Sequence, residues 1–193
     1  MVIVVDSVDQ LVNYRHLVTL PDGLRVLVRP LIPKDRDALV SLFANLAHEE
    51  TASFRNKVNQ PGLVEGWAEH PQYDKIFPLV AVVGDHIVGN CTLHLGSGYT
   101  RHIGEVRIFL AREYRRRGIG SAMIKSHLEI ARKLGLHQVI AEVVETRPQV
   151  IHAFERLGFE RQFAWKDLFM TPEGETLDMV VLVNYLKRPG ETF

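Results

Sequence analysis

Seven consecutive residues, Arg115-Arg116-Arg117-Gly118-Ile119-Gly120-Ser121, combine what an anionic ligand needs. Arginine supplies charge and a fork of donors that matches phosphate oxygens. Two glycines one residue apart let the backbone approach a ligand closely. Where such a loop opens a helix, its first N–H groups are unsatisfied and the helix dipole favours negative charge. The chemistry predicted for this stretch is phosphate binding. A second kind of chemistry, proton transfer, needs a carboxylate or an imidazole in reach of the reacting group. Glu105, ten residues before the loop, is the first choice, with Glu142, His94 and His102 as further options. The nine histidines and the single Cys91 form no H-x-x-x-H or C-x-x-C pair, so no metal is assigned. Cys91 reads as a small buried hydrophobe.

The flanking elements place these groups. Ile103 to Ala111 reads as a strand, and Gly118 to Leu134 as a helix whose apolar stripe is Ile119, Met123, Ile124, Leu128, Ala131 and Leu134. Gly135 ends it and Val139 to Val144 is a second buried strand. If that strand alternates, Ala141 and Val143 face one side and Glu142 the other. Pro148 to Leu157 is a short helix. Phe159 to Met170 and Leu177 to Leu186 form a hairpin about 171–175. Upstream, runs at Leu17–Leu20 and Leu24–Val28 flank the turn Pro21-Asp22-Gly23. A helix opens at Pro33 with Leu39, Leu42, Phe43 and Leu46 on one face. His48 to Asn59 is polar and irregular, Pro61 to Glu69 is a short helix, and Phe77 to Val83 with His86 to Leu95 is a hairpin about Gly84-Asp85. Residues 1–16 carry no clear period and read as an extension. The order predicts one α/β domain: a mixed, mostly antiparallel sheet with one strand–helix–strand crossover at its centre.

Composition narrows the classes. The chain has 193 residues, enough for one domain with a sizeable core. Lys plus Arg equals Asp plus Glu at 23 each, which argues against a nucleic-acid partner held by global charge. No apolar run approaches the roughly 18 residues of a membrane span. The start, Met1 to Asp6, lacks a basic flank and is too short for a signal peptide, and with one cysteine the expected location is cytoplasmic.

Arg115-x-x-Gly118-x-Gly120 resembles the pyrophosphate motif, Q/R-x-x-G-x-G/A, of the GNAT superfamily of N-acyltransferases. Its context carries the likeness further. The preceding strand, the helix ending Ala131-Arg132-Lys133-Leu134-Gly135, the next strand and Phe154-Glu155-Arg156-Leu157-Gly158-Phe159 all fall at family spacing, over residues 78–186. Pro21-Asp22-Gly23 with Val28-Arg29-Pro30-Leu31-Ile32-Pro33-Lys34-Asp35 is similar to the start of GNAT domains in protein-lysine acetyltransferases. The resemblance implies a GNAT-like sheet with helices on both faces, acetyl-CoA as donor, and an amine on a small molecule or a protein as acceptor. It implies that backbone groups of Ile108, Phe109 and Leu110 meet the acyl and pantetheine arm. It assigns Arg115, Arg116, Arg117, Gly118, Ile119, Gly120 and Ser121 to the pyrophosphate, and gives Glu105 the place of a catalytic glutamate facing the acceptor. Two positions depart from the family: Phe154 stands where a tyrosine often serves as general acid, and Arg147 where an asparagine often contacts pantetheine.

The expected reaction is direct attack of a neutral amine on the thioester. At pH 7 neutralising a lysine of pKa about 10.4 costs about 4.6 kcal/mol, so a base matters. The alternative is a non-catalytic acyl-CoA sensor, suggested by Phe154. A dinucleotide-binding protein fits less well, because Met123 breaks G-x-G-x-x-G. Trp67, Tyr99 and Trp165 are read as core, rim or groove. Apolar strand edges in the last hairpin would permit a homodimer.

Overall fold

The structure, a computed structural model, describes residues 8–44, 46, 60, 62–171 and 173–187. The irregular segment expected at His48 to Asn59 lies outside the described residues. Among those described, eight strands form one sheet: β1 (His16–Thr19), β2 (Arg25–Pro30), β3 (Ile76–Val83), β4 (His86–Leu95), β5 (Ile103–Leu110), β6 (Gln138–Val144), β7 (Glu160–Met170) and β8 (Thr176–Tyr185). Their order across the sheet is β1-β2-β3-β4-β5-β6-β8-β7. Neighbours are antiparallel except β5 and β6. The helices are α1 (Val8–Leu11), α2 (Arg36–Ala44), α3 (Leu63–Glu69), α4 (Ile119–Lys133) and α5 (Pro148–Glu155), and α4 makes the crossover between β5 and β6. No helix among the described residues is long and apolar enough to cross a membrane.

Alternation along the strands builds two cores, one on each face. On the first, Val26, Val28, Phe77, Leu79, Cys91, Leu93, Val106, Val139, Ala141 and Val143 meet the α4 residues Ile119, Met123, Ile124, Leu128, Ile130 and Ala131. Burying each of the larger α4 side chains contributes about 1.5–3 kcal/mol, which fixes α4 against the centre of the sheet. On the second face Val80, Ile87 and Phe109 pack under Leu39, Leu42 and Phe43 of α2 and Val64 and Ala68 of α3. This is the mixed sheet that the element order predicts, with the helices on both faces that the resemblance implies.

The Arg29 to Asp35 segment works as a clamp. The two Asp35 carboxylate oxygens accept from Arg29 Nη1 at 2.6 Å and Nη2 at 2.7 Å, and Oδ2 also accepts the Ile32 N–H at 2.9 Å. It ties the end of β2 to the entry of α2. Residues 8–16 lie along α4: Leu11 is buried in the core, Tyr14 Oη donates to Glu129 at 3.2 Å, and His16 Nδ1 meets Ser126 Oγ at 3.1 Å.

Candidate functional site

β5 and β6 pair at only three positions, Ile103 with Gln138, Gly104 with Val139 and Glu105 with Ile140. Beyond them β5 stays paired with β4 as far as Leu110, and β6 with β8 as far as Val144. The two central strands therefore part at Glu105 and open a cleft towards their C-terminal ends. The Ala111 N–H bonds Val88 of β4, and the β4–β5 register runs without a shift from Gly104 to Leu110. By alternation Phe109 turns its backbone groups to β4, whereas Ile108 and Leu110 turn theirs to the cleft. Phe109 thus leaves the expected backbone set. It brings its ring instead, stacked on Phe43 at 5.4 Å between centroids.

Past β5 the chain turns into α4 through two left-handed residues, Arg116 at φ 58° and Gly118 at φ 93°. Glycine tolerates this conformation, but for arginine it costs about 1–2 kcal/mol, so strain sits in the loop. Gly118 caps α4 without any side-chain hydrogen bond. The first-turn N–H groups of Ile119, Gly120 and Ser121 have no acceptor one turn earlier and form the donor set of the loop. A Cβ on Gly120 would lie 3.2 Å from Leu110 Cδ1 and 3.5 Å from Ile108 Cδ1. Its bare Cα lets α4 sit close over β5, which brings those donors to the cleft mouth.

The Arg115 and Arg117 side chains of the loop have partners within the protein. Arg115 Nε donates to the Leu110 carbonyl at 2.8 Å, and its guanidinium lies over the Phe109 ring at 5.6 Å. Arg117 reaches Asp22 in the β1–β2 turn, with Nε at 3.0 Å, and holds that carboxyl below its usual range. Arg116 is exposed. Arg115 closes the end of β5 and Arg117 ties the loop to the turn, so the backbone supplies the loop's inward donors.

Glu105 stands at the root of the cleft, on the α2–α3 face. Arg107, two residues on and on the same face, donates from Nε to Oε1 at 2.8 Å and from Nη2 to Oε2 at 2.9 Å. The pair is half-buried, with side chains 22% and 32% exposed. Across β4, His94 is opposite Glu105 and Thr92 opposite Arg107, and His94 Nε2 meets Thr92 Oγ1 at 3.0 Å. Glu142 faces the same side, since Ala141 and Val143 are in the α4 core as alternation predicts. His102 precedes the paired stretch of β5, at the closed end, where its ring meets His137 edge-on at 5.4 Å. That removes it from the cleft.

Phe154 is buried with its ring edge-on to Phe159 at 5.0 Å and has no proton to give. Burial pushes the Cys91 thiol well up, so it stays protonated and is no nucleophile. Among the described residues no group of three or more His, Cys, Asp or Glu could hold a metal ion. Trp67 packs edge-on against Phe43 at 5.9 Å, while Tyr99 and Trp165 are exposed. Sequence reasoning missed Arg107 and Asn90. The i, i+2 rule for strands would have paired Arg107 with Glu105. Asn90, a lone amide in the apolar run of β4, is buried beside Phe109 with no partner for Oδ1.

The model of the acetyltransferase (GNAT) family matches residues 43–159. The thialysine N-epsilon-acetyltransferase of Sus scrofa is 26% identical over 141 residues, which are 69% of this chain and 83% of that protein. The GNAT domain of S. lividans PAT superposes with TM-score 0.74 at 21% identity, over 89% of this chain and 96% of that one. The Salmonella typhimurium protein yncA, solved with its cofactor acetyl-CoA, superposes with TM-score 0.73 at 18% identity, over 86% and 96% of the two chains.

Proposed function

The chain belongs to the acetyltransferase (GNAT) family of acetyl-CoA-dependent enzymes, and from that premise we propose that a primary amine, bound on the Glu105 face of the cleft, attacks the acetyl thioester directly. The observation that carries this reading is the parting of β5 and β6 beside the uncapped start of α4. An opened strand edge suits the amide-bearing pantetheine arm, by the same hydrogen bonding that adds a strand to a sheet. The Ile108 and Leu110 N–H groups face that arm, and the Ile119, Gly120 and Ser121 N–H groups face the pyrophosphate. Arg115 and Arg117 hold the strand end and the loop in register. Arg116 adds charge at the mouth.

Glu105 takes the proton from the amine, directly or through one water. The neutral nitrogen then attacks the thioester carbonyl carbon, the C–S bond breaks, and the electron pair leaves on sulfur. The thiolate needs no partner at Phe154, because a thiol of pKa about 8.5 is a tolerable leaving group near neutral pH. The test is thiol release from acetyl-CoA with a panel of primary amines, for the wild type and Glu105→Gln. Loss of a general base lowers kcat about 10²–10⁴-fold. Unchanged kcat in Glu105→Gln would remove Glu105 from the chemistry. Tight acetyl-CoA binding without turnover of any amine would favour a non-catalytic sensor, the reading that the missing Phe154 hydroxyl favours.

A further inference from the structure

Glu105 and Arg107 are paired at the root of the cleft, joined by two hydrogen bonds of 2.8 and 2.9 Å. A plain amine can approach Glu105 only as a cation or by giving up its proton. Either way it draws the carboxylate from a guanidinium whose side chain is two-thirds buried. A half-buried guanidinium stripped of its partner is costly, because desolvation is no longer offset. An acceptor bearing its own carboxylate next to the amine avoids this. Its ammonium goes to Glu105, its carboxylate goes to the Arg107 fork, and the guanidinium keeps a carboxylate partner. The spacing is restrictive, because the two protein groups touch. The acceptor's amine and carboxylate must be within one or two carbons of each other.

Resting on the acetyl-transfer reading above, we infer that the acceptor is a free amino acid, with Arg107 binding its carboxylate while Glu105 takes the proton of the reacting amine. The surrounding face agrees. Thr92 and His94 line it from β4, and Asn90, further along the same face, is buried with an Oδ1 that has no hydrogen-bond partner. An unsatisfied buried amide oxygen is expensive on its own and accepts an N–H from a polar ligand. The stacked Phe43 and Phe109 rings, with Trp67 on Phe43, close the apolar end. The step balances as before. The ammonium proton passes to Glu105, the nitrogen bonds the acetyl carbon, and CoA leaves as thiolate and regains a proton from solvent. The product is an N-acetyl amino acid.

The experiment compares matched acceptors that differ by the carboxylate alone: L-alanine with ethylamine, L-phenylalanine with phenethylamine, and L-histidine with histamine. Thiol release is followed at saturating acetyl-CoA. A charge-assisted contact is worth about ten- to hundred-fold, so wild-type kcat/KM should favour at least one amino acid over its amine by that factor. In Arg107→Gln the preference should fall to within about threefold, mainly through KM, since the carboxylate is held equally in ground and transition states. Arg107→Lys, a point charge without the fork, should retain part of it. Equal transfer to both members of every pair by the wild type overturns the inference and leaves acetyl transfer standing. A preference that persists in Arg107→Gln assigns the carboxylate elsewhere and also overturns it. No transfer to any member of the panel, with acetyl-CoA bound, sinks both readings. The wild-type comparison decides even if a variant folds poorly, and circular dichroism reports that separately.

Discussion

Acidification should weaken this fold through one histidine. His127 sits on the sheet-facing side of α4, fully buried, with Nε2 at 2.9 Å from the Cys91 carbonyl of β4. A carbonyl only accepts, so the neutral ring carries its proton on Nε2. Nδ1 is buried with no hydrogen-bond partner, and a second proton there would be a charge without solvent. Burial therefore lowers the pKa to about 4; the Cys91 bond opposes the shift and the nearby His94 adds to it. The unfolded chain titrates at about 6.5 and so binds the proton first. The stabilisation is fully present above pH about 6.5 and is lost as pH falls towards 4. Its whole size is about 2.5 pKa steps of 1.36 kcal/mol, about 3 kcal/mol, of which about 2 kcal/mol is gone by pH 5. Urea unfolding at pH 7.5 and pH 5 measures this, with His127→Gln as the non-titrating reference. The wild type should lose about 2 kcal/mol more than the variant, because contributions from other groups cancel in the difference. Equal losses would refute the argument. The His127 ring resonances of the wild type give the same answer independently: they should not titrate above pH 5, and an apparent pKa near 6.5 would contradict the burial argument.

Two further substitutions test the frame and the loop. Asp35→Asn leaves Arg29 with an uncompensated charge and should cost about 3–5 kcal/mol in urea unfolding, whereas a loss under about 1 kcal/mol would mean that the clamp is dispensable. Gly118→Ala has room, since the nearest atom to the new Cβ is Leu20 Cδ2 at 3.8 Å, so any effect comes from φ at 93°. It should cost about 1–2 kcal/mol of stability and raise the Kd for acetyl-CoA in calorimetry, and unchanged values of both would contradict the role given to the left-handed turn.

The donor half of the site was legible because it is made of main chain. Gly118 and Gly120 report backbone conformation and close approach, both local, and their spacing before an amphipathic helix is enough to infer a loop of free N–H groups. The side-chain partners of the arginines beside them were not legible, because they are not local. Asp22 is 95 residues from Arg117, and Arg115 folds back on the end of its own strand. Similarly, the α4 stripe reveals Ile119, Met123, Ile124 and Leu128 but not Ser126, which residues 8–16 cover from a second side, nor His127, which turns into the sheet onto the Cys91 carbonyl. The Arg29 to Asp35 segment read as a family likeness, and only the fold turns it into a clamp. The acceptor half was half legible: Glu105 and Glu142 follow from alternation, whereas the weight of Arg107 depends on knowing where β5 leaves β6.

The proton balance then decides which of the two departures from an ordinary acid–base pair matters. At pH 7, a leaving thiol of pKa about 8.5 gains about 2 kcal/mol from protonation, so an enzyme without the tyrosine at Phe154 forgoes at most that much. An amine of pKa about 10.4 must lose about 4.6 kcal/mol before it can attack. For an amine of the lysine type the base is thus worth more than twice the acid, and a site with one ionisable group to place should place it beside such an amine. Glu105 at the root of the cleft is that placement. Arg107 keeps the carboxylate aimed while the cleft is empty, because two short hydrogen bonds fix both of its oxygens. The same grip competes with an incoming amine for the carboxylate, unless the arginine is given another carboxylate to hold. An acceptor that carries one both releases Glu105 and anchors itself. Recognition of the acceptor and activation of its amine then become a single exchange of partners.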